Sequence, residues 1–156
     1  MTFDLATLMA VGVLATAVAG VLTITAWAAD RGVRALLWWA AGYFAIALGI
    51  AGLLAAKGDP NSARTGAGLM LLSLGSALIW TGARQLGGLR PLPAAVAAGP
   101  LLTLAAAMAQ AAGYSAITTV TQFAISDAYF VLTIMTLWPY PRDGLRSAVP
   151  LMAQAV

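Results

Sequence analysis

Long apolar runs, parted by short clusters of charge and helix breakers, set the pattern of this chain. The first covers about 5–27 and ends at Asp30, Arg31, Gly32 and Arg34. The second, about 35–56, ends in Lys57-Gly58-Asp59-Pro60-Asn61-Ser62, a stretch built of breakers. The third, about 65–86, stops at Gly87-Gly88-Leu89-Arg90-Pro91, the fourth covers about 92–112, and the fifth, about 117–138, meets Pro139 and Pro141. As an α-helix each can cross a hydrocarbon layer of roughly 30 Å. A further run, 147–156, is too short to span; it reads as the start of a sixth helix or as a segment at the interface. The pattern predicts one all-α transmembrane domain over 1–156, a polytopic helical bundle with five full spans plus the start of a sixth. Pro100 should kink the fourth span rather than end it, because membrane helices tolerate proline.

The fifth span carries the sharpest pattern. Ser115, Thr119, Gln122, Ser126, Tyr129, Thr133, Thr136 and Tyr140 recur at alternating steps of four and three, which places them on one helical seam. A polar stripe in hydrocarbon needs partners, so this helix should face the inside of the bundle and organise it. Asp127 lies beside the seam near mid-span, where an ionised carboxylate is costly and no Lys or Arg sits at matching depth. It should carry a proton or be tightly hydrogen-bonded, with Gln110, Thr103, Thr16 and Thr23 as candidate partners. Asp127, Gln122, Ser126, Tyr129, Thr133, Gln110 and Thr103 therefore form a candidate ligand-binding seam. It reads either as a proton- or cation-sensitive site or as a structural hydrogen bond holding span five to its neighbours.

Small residues mark the other spans. Ala35, Gly42, Gly49 and Ala56 recur at seven-residue steps on span two, as do Gly68, Gly75 and Gly82 on span three. Gly12, Thr16, Ala19, Thr23 and Ala26 line span one, and Gly99, Thr103, Ala106, Gln110 and Gly113 line span four. Such seams let helix backbones approach closely in lipid, and the seven-residue period favours a left-handed bundle.

Charge adds orientation. Arg31, Arg34, Arg84, Arg90, Arg142 and Arg146 flank the odd-numbered loops, against Lys57 and Arg64 in the second loop. The positive-inside rule then puts the odd loops in the cytoplasm and the N-terminus outside. Trp27, Trp80 and Trp138 each precede Arg31, Arg84 and Arg142 by four residues, and Trp38 and Trp39 open span two on the same side. These tryptophans and arginines read as interface anchors, indole at headgroup level and guanidinium on phosphate, or else as a docking face for a cytoplasmic partner.

Composition agrees and excludes much. The chain of 156 residues is 62% hydrophobic and 8% charged, about a third of the charge of a soluble domain. Its net charge of +3 is accounted for by membrane topology, so no nucleic-acid partner is implied. Without Cys or His there are no disulfides, no thiolate or imidazole metal sites and no ordinary haem ligation; no cofactor is expected. Lys57, the single lysine, lies in a loop, which excludes a Schiff base within the bundle. Intramembrane proteolysis lacks its Ser–Lys, paired-Asp or metal set. The N-terminal residues lack a basic leader region, so the first run should remain as a true span. An Ala-, Gly- and Arg-rich, Lys-poor composition points to a bacterial source and its cytoplasmic (inner) membrane.

The LLWWAAGYFAIALGIAGLL run and the LIWTGARQLGGLRP turn, with their short arginine-bearing loops, resemble the N-terminal membrane regions of bacterial diguanylate cyclases, the GGDEF family. That resemblance implies a multi-span sensor ahead of a cytoplasmic catalytic domain, and a chain that is a fragment of a longer protein. No GGDEF motif is present, so no active-site residue carries over. The expectation is a non-catalytic sensory or anchoring domain of a signalling protein, in contact with lipid and with a membrane-protein partner or a second copy. An accessory subunit of a larger membrane complex and a small proton-coupled transporter are the alternatives.

Overall fold

The computed structural model describes residues 4–56, 59, 62–111 and 117–138. Five helices follow one another: α1 (Leu5–Ala29), α2 (Ala35–Ala55), α3 (Ala63–Leu86), α4 (Pro93–Ala111) and α5 (Ile117–Leu137). All five are long and apolar enough to cross a membrane. The run at 147–156 lies outside the described residues, as do Lys57, Gly113, Tyr114, Ser115, Tyr140, Arg142 and Arg146.

Local chemistry marks the ends. The Asp4 side chain accepts from the Ala6 amide and opens α1, while Ser62 Oγ accepts from the Thr65 amide at 3.1 Å and opens α3. Asp30 Oδ1 takes the Gly32 amide at 3.0 Å and tightens the α1–α2 turn. α3 ends on Gly88 at φ +72°, with Leu89 N–H donating to Arg84 O and Gly88 N–H to Gln85 O. That is the Schellman arrangement, which needs a left-handed residue and so favours glycine. α4 continues through Pro100 without a break.

α3, rather than α5, is the central helix. Among the described residues it packs against α2, α4 and α5, whereas α1 packs only on α2, and α5 only on α3 and α4. The reason is that α3 carries two interacting stripes and α5 one. On one side Gly68, Gly75 and Gly82 meet Gly49, Gly42 and Ala35 of α2 in antiparallel order. A Cβ at Gly49 would stand 2.8 Å from Gly68 O, one at Gly42 2.9 Å from Gly75 O, and one at Gly82 2.9 Å from Ala35 O. The missing side chains are therefore what allow these backbones to touch. On the other side Ser73, Ala77 and Trp80 are buried toward α4 and α5.

The tryptophans, read from the sequence as interface anchors, divide by burial and by hydrogen-bond partner. Trp80 is buried, at 6% exposure, and its Nε1 donates to Thr136 Oγ1 at 3.3 Å; Trp39 Nε1 donates to Ile79 O at 2.9 Å. Both tie helix to helix, because an indole N–H near a packed interface finds a protein acceptor before water. Trp138 is 85% exposed and fits the anchor reading, while Trp27 and Trp38 are half-buried. The Trp-x-x-x-Arg spacing stacks guanidinium on indole one turn away, Arg31 over Trp27 at 5.4 Å and Arg84 over Trp80 at 5.1 Å.

Candidate functional site

α5 is bound to α3 and α4 by a series of polar rungs. Near its start Thr118 Oγ1 donates to Ala106 O of α4 at 2.9 Å. One turn on, Gln122 Oε1 accepts from Ser73 of α3 at 3.0 Å and from Thr103 of α4 at 3.4 Å, while the two hydroxyls lie 2.5 Å apart. Gln122 Nε2 reaches Ser126 Oγ at 3.4 Å. Ser73 and Thr103 are at most 1% exposed and Gln122 9%, so this layer is sealed from lipid. Each hydroxyl has one proton and two lone pairs, so Thr103 to Ser73 and Ser73 to Gln122 closes a consistent chain of donors. Ser73 Oγ can alternatively donate to Leu69 O at 3.1 Å, so the chain has more than one proton arrangement.

Further along, the Tyr129 hydroxyl lies across the Ala95–Gly99 turn of α4. It donates to Ala95 O at 2.5 Å and accepts from Gly99 N at 3.2 Å. Gly99 makes this approach possible, since a Cβ there would stand 2.9 Å from Tyr129 Cε2. The neighbouring Pro100 has no N–H to give Val96 O, and one step before it in the ladder the Tyr129 hydroxyl bridges Gly99 N–H and Ala95 O. The Tyr129 ring also packs on Trp80, with centroids 5.9 Å apart. The Trp80–Thr136 bond completes the series at the far end.

Gln122, Ser126, Tyr129 and Thr103 of the predicted seam are thus brought together. Thr133 and Thr136 share the face, with their hydroxyls donating to Tyr129 O and Leu132 O of their own helix. Gln110, near the end of α4, is half-buried, and the side chain of Thr119 lies outside the described residues. Two buried members were missing from the sequence reading, Ser73 and Thr118. Ser73, Ala77, Trp80 and Arg84 follow four-three-four steps, a signal present beside the glycine stripe. Thr118 differs from Thr119 by one position, which the helical phase of α5 decides.

Asp127 departs from expectation. It is exposed on the outer side of α5 and makes no hydrogen bond or ion pair among the described residues. None of its expected partners reaches it. Thr103 is engaged with Ser73 and Gln122, while Thr16 and Thr23 donate to Gly12 O and Ala19 O within α1, which does not touch α5. The physical reason is angular: Asp127 is about 100° around the helix from Ser126, so the stripe can turn inward while the carboxylate turns out. It borders a groove between α3 and α5, a cavity of 420 Å³ lined by Ser76, Ile79, Ser126, Tyr129, Phe130 and Thr133 as well. With a single carboxylate this groove is no multidentate metal site, and among the described residues no cluster suited to a metal occurs.

Comparison with protein families, curated proteins and solved structures finds no match to this chain.

Proposed function

We propose that this chain is a non-catalytic sensory and anchoring domain of a bacterial signalling protein, seated in the cytoplasmic membrane with its N-terminus outside. The supporting observation is the position of α5. This helix carries Asp127, which has no partner among the described residues, in an open groove near its middle and runs to Trp138 at the arginine-rich end. Hydroxyl and amide bonds fasten it to α3 and α4, while α2 and α3 are locked by backbone contact at their glycines. Hydroxyl rungs can exchange acceptors over small displacements, and glycine contacts against backbone cannot. An occupant of the groove that pairs with Asp127, such as a cation or a donor group from another transmembrane helix, would then shift α5 along α3. Its differential affinity for the two positions sets the size of the response. The sequence resemblance to membrane regions ahead of GGDEF domains agrees with this role, with output carried by a partner or by further chain.

The outward Asp127 equally supports an accessory subunit, in which a partner helix occupies the groove permanently. Proton-coupled transport has less support, since the buried polar groups bond to one another.

The test uses the cysteine-free sequence. Spin labels at Leu89 and Trp138, both exposed and both at the arginine end, report the position of α5 in nanodiscs. Under the sensory reading Asp127→Asn moves the distance distribution by about 1–2 Å, the size of interfacial helix shifts. A distribution unchanged by that variant and by bilayer thickness removes the sensory reading and leaves the anchoring one.

A further inference from the structure

The groove between α3 and α5 sets three conditions on whatever fills it. First, Asp127 lines it, is exposed and has no partner among the described residues, so in hydrocarbon it requires a donor. No Lys or Arg of the five helices lies at its depth, so within this chain the donor has to be an amide or a hydroxyl. Second, that donor has to reach about 15 Å into the membrane from the arginine end, the distance along α5 from Leu137 back to Asp127. Third, the exposed side chains on the way, Asp127, Phe130 and Ile134, recur at steps of three and four. They form one stripe, apolar toward the arginine end and polar at its inner end.

The sequence beyond Trp138, outside the described residues, matches all three. Pro139, Pro141 and Asp143-Gly144 are breakers that favour a reversal, in a connection short enough to join antiparallel neighbours. The run 147–156 follows. As a helix it is about 15 Å long, too short to cross the membrane and long enough to reach Asp127. Ser147 is a favoured N-cap, and Pro150 then falls in the first turn, where N–H groups have no intrahelical partner. Past Ser147 the run has one polar side chain, Gln154, whose amide carries two N–H donors. Ser147, Leu151 and Gln154 recur at steps of four and three, the order of Asp127, Phe130 and Ile134 read backwards. In antiparallel packing three pairs therefore coincide: Gln154 with Asp127, Leu151 with Phe130, and Ser147 with Ile134. A donor on so short a tether also has the advantage of effective concentration over a helix that must diffuse to the groove.

We propose that residues 147–156 dock as a short antiparallel helix in the α3–α5 groove, with the Gln154 amide donating to the Asp127 carboxylate. The docking uses the groove of the sensory reading and does not require α5 to move, so the two are tested by different measurements.

The test is disulfide cross-linking of the full chain, which has no native cysteine, in nanodiscs. Phe130→Cys with Leu151→Cys should join within one chain. Leu101→Cys with Leu151→Cys should not, since Leu101 is exposed on α4, near the depth at which Gly99 meets Tyr129, and does not line the groove. At the temperature where the first pair reacts at half its maximal rate, Gln154→Leu should slow it about threefold or more, as should Asp127→Leu. Leucine is used because asparagine at 127 keeps an acceptor for the amide. The two changes together should slow the reaction no further than the larger single loss. Equal reaction at Leu101 means the segment has no seat in the groove and overturns the proposal. Reaction of Phe130→Cys between chains only means that a second copy fills the groove, and overturns it too. Losses that add in full overturn the Gln154–Asp127 bond. Should Phe130→Cys not purify, Thr133→Cys with Ser147→Cys carries the same comparison. The Leu89–Trp138 distance continues to report the sensory reading. A cross-link within the chain while that distance stays fixed keeps the docking and removes the signalling; a changed distance without the cross-link does the reverse.

Discussion

A methyl group placed at Gly75 should force α2 and α3 apart, while the same change at Gly66 should not. At Gly75 the new Cβ would stand 2.8 Å from Gly42 O and 3.2 Å from Ile46 N. Packed heavy atoms rest at about 3.5 Å or more, so the opposing backbone must retreat by roughly 0.7 Å. A side chain could rotate away; a helix backbone moves only as a unit, loosening neighbouring contacts along the seam. At Gly66, on the same helix, a Cβ meets nothing within 4 Å. Both variants gain the same helix propensity, about 0.5–1 kcal/mol. Their difference therefore isolates the clash, expected at about 1–3 kcal/mol. Gly66→Ala should come out slightly more stable than the parent and Gly75→Ala less stable than Gly66→Ala by that margin. Steric-trapping or denaturant unfolding of both in the same bicelles measures this directly. Equal stabilities would refute the backbone contact between α2 and α3, and with it the account of why glycines recur every seven residues.

Four further outcomes are expected. Tyr129→Phe removes the hydroxyl shared by Ala95 O and Gly99 N and should lower unfolding free energy by about 1–2 kcal/mol; no loss would mean the turn beside Pro100 needs no outside partner. Gln122→Leu removes the acceptor common to Ser73 and Thr103, at a cost of about 0.5–2 kcal/mol, and Ser73→Ala added to it should cost less than Ser73→Ala alone. Trp80→Phe, which loses the bond to Thr136 and weakens the Arg84 stack, should cost about 1 kcal/mol, read as a lower melting temperature in detergent. Asp127→Asn should leave detergent stability within about 0.5 kcal/mol of the parent, because the carboxylate has no partner among the described residues; a larger drop would place a hydrogen bond where none is described.

Much of the architecture is legible along the chain because a bilayer imposes simple rules. Hydrocarbon demands internally bonded backbone, so apolar length alone marks the five helices, to within two residues of their observed ends. The seven-step glycines mark the close-packing faces of α2 and α3 for a similar reason: where lipid supplies no hydrophobic drive, close backbone approach is what joins helices. The stripe from Gln122 to Tyr129 likewise shows which side of α5 turns inward.

Periodicity, however, gives a face and not a neighbour. It could not say that Gln122 meets Ser73 and Thr103, because those residues come from two other helices and only their packing sets the depth at which they coincide. Nor could it rank the helices. A polar stripe drew the centre of the bundle toward α5, but centrality belongs to α3, which has contact surfaces on opposite sides. Trp80 and Trp138 precede arginine by the same four residues, yet one is buried between helices and the other stands 85% exposed. Asp127 makes the division plainest. Its type and depth in the membrane are properties of the sequence, and so is the cost of leaving it unpaired. That it points away from the polar core, into a groove beside Ser76, is a matter of helix rotation. Tertiary packing decides that rotation, since burying Gln122, Ile125 and Tyr129 against α3 and α4 leaves the carboxylate nowhere to turn but outward.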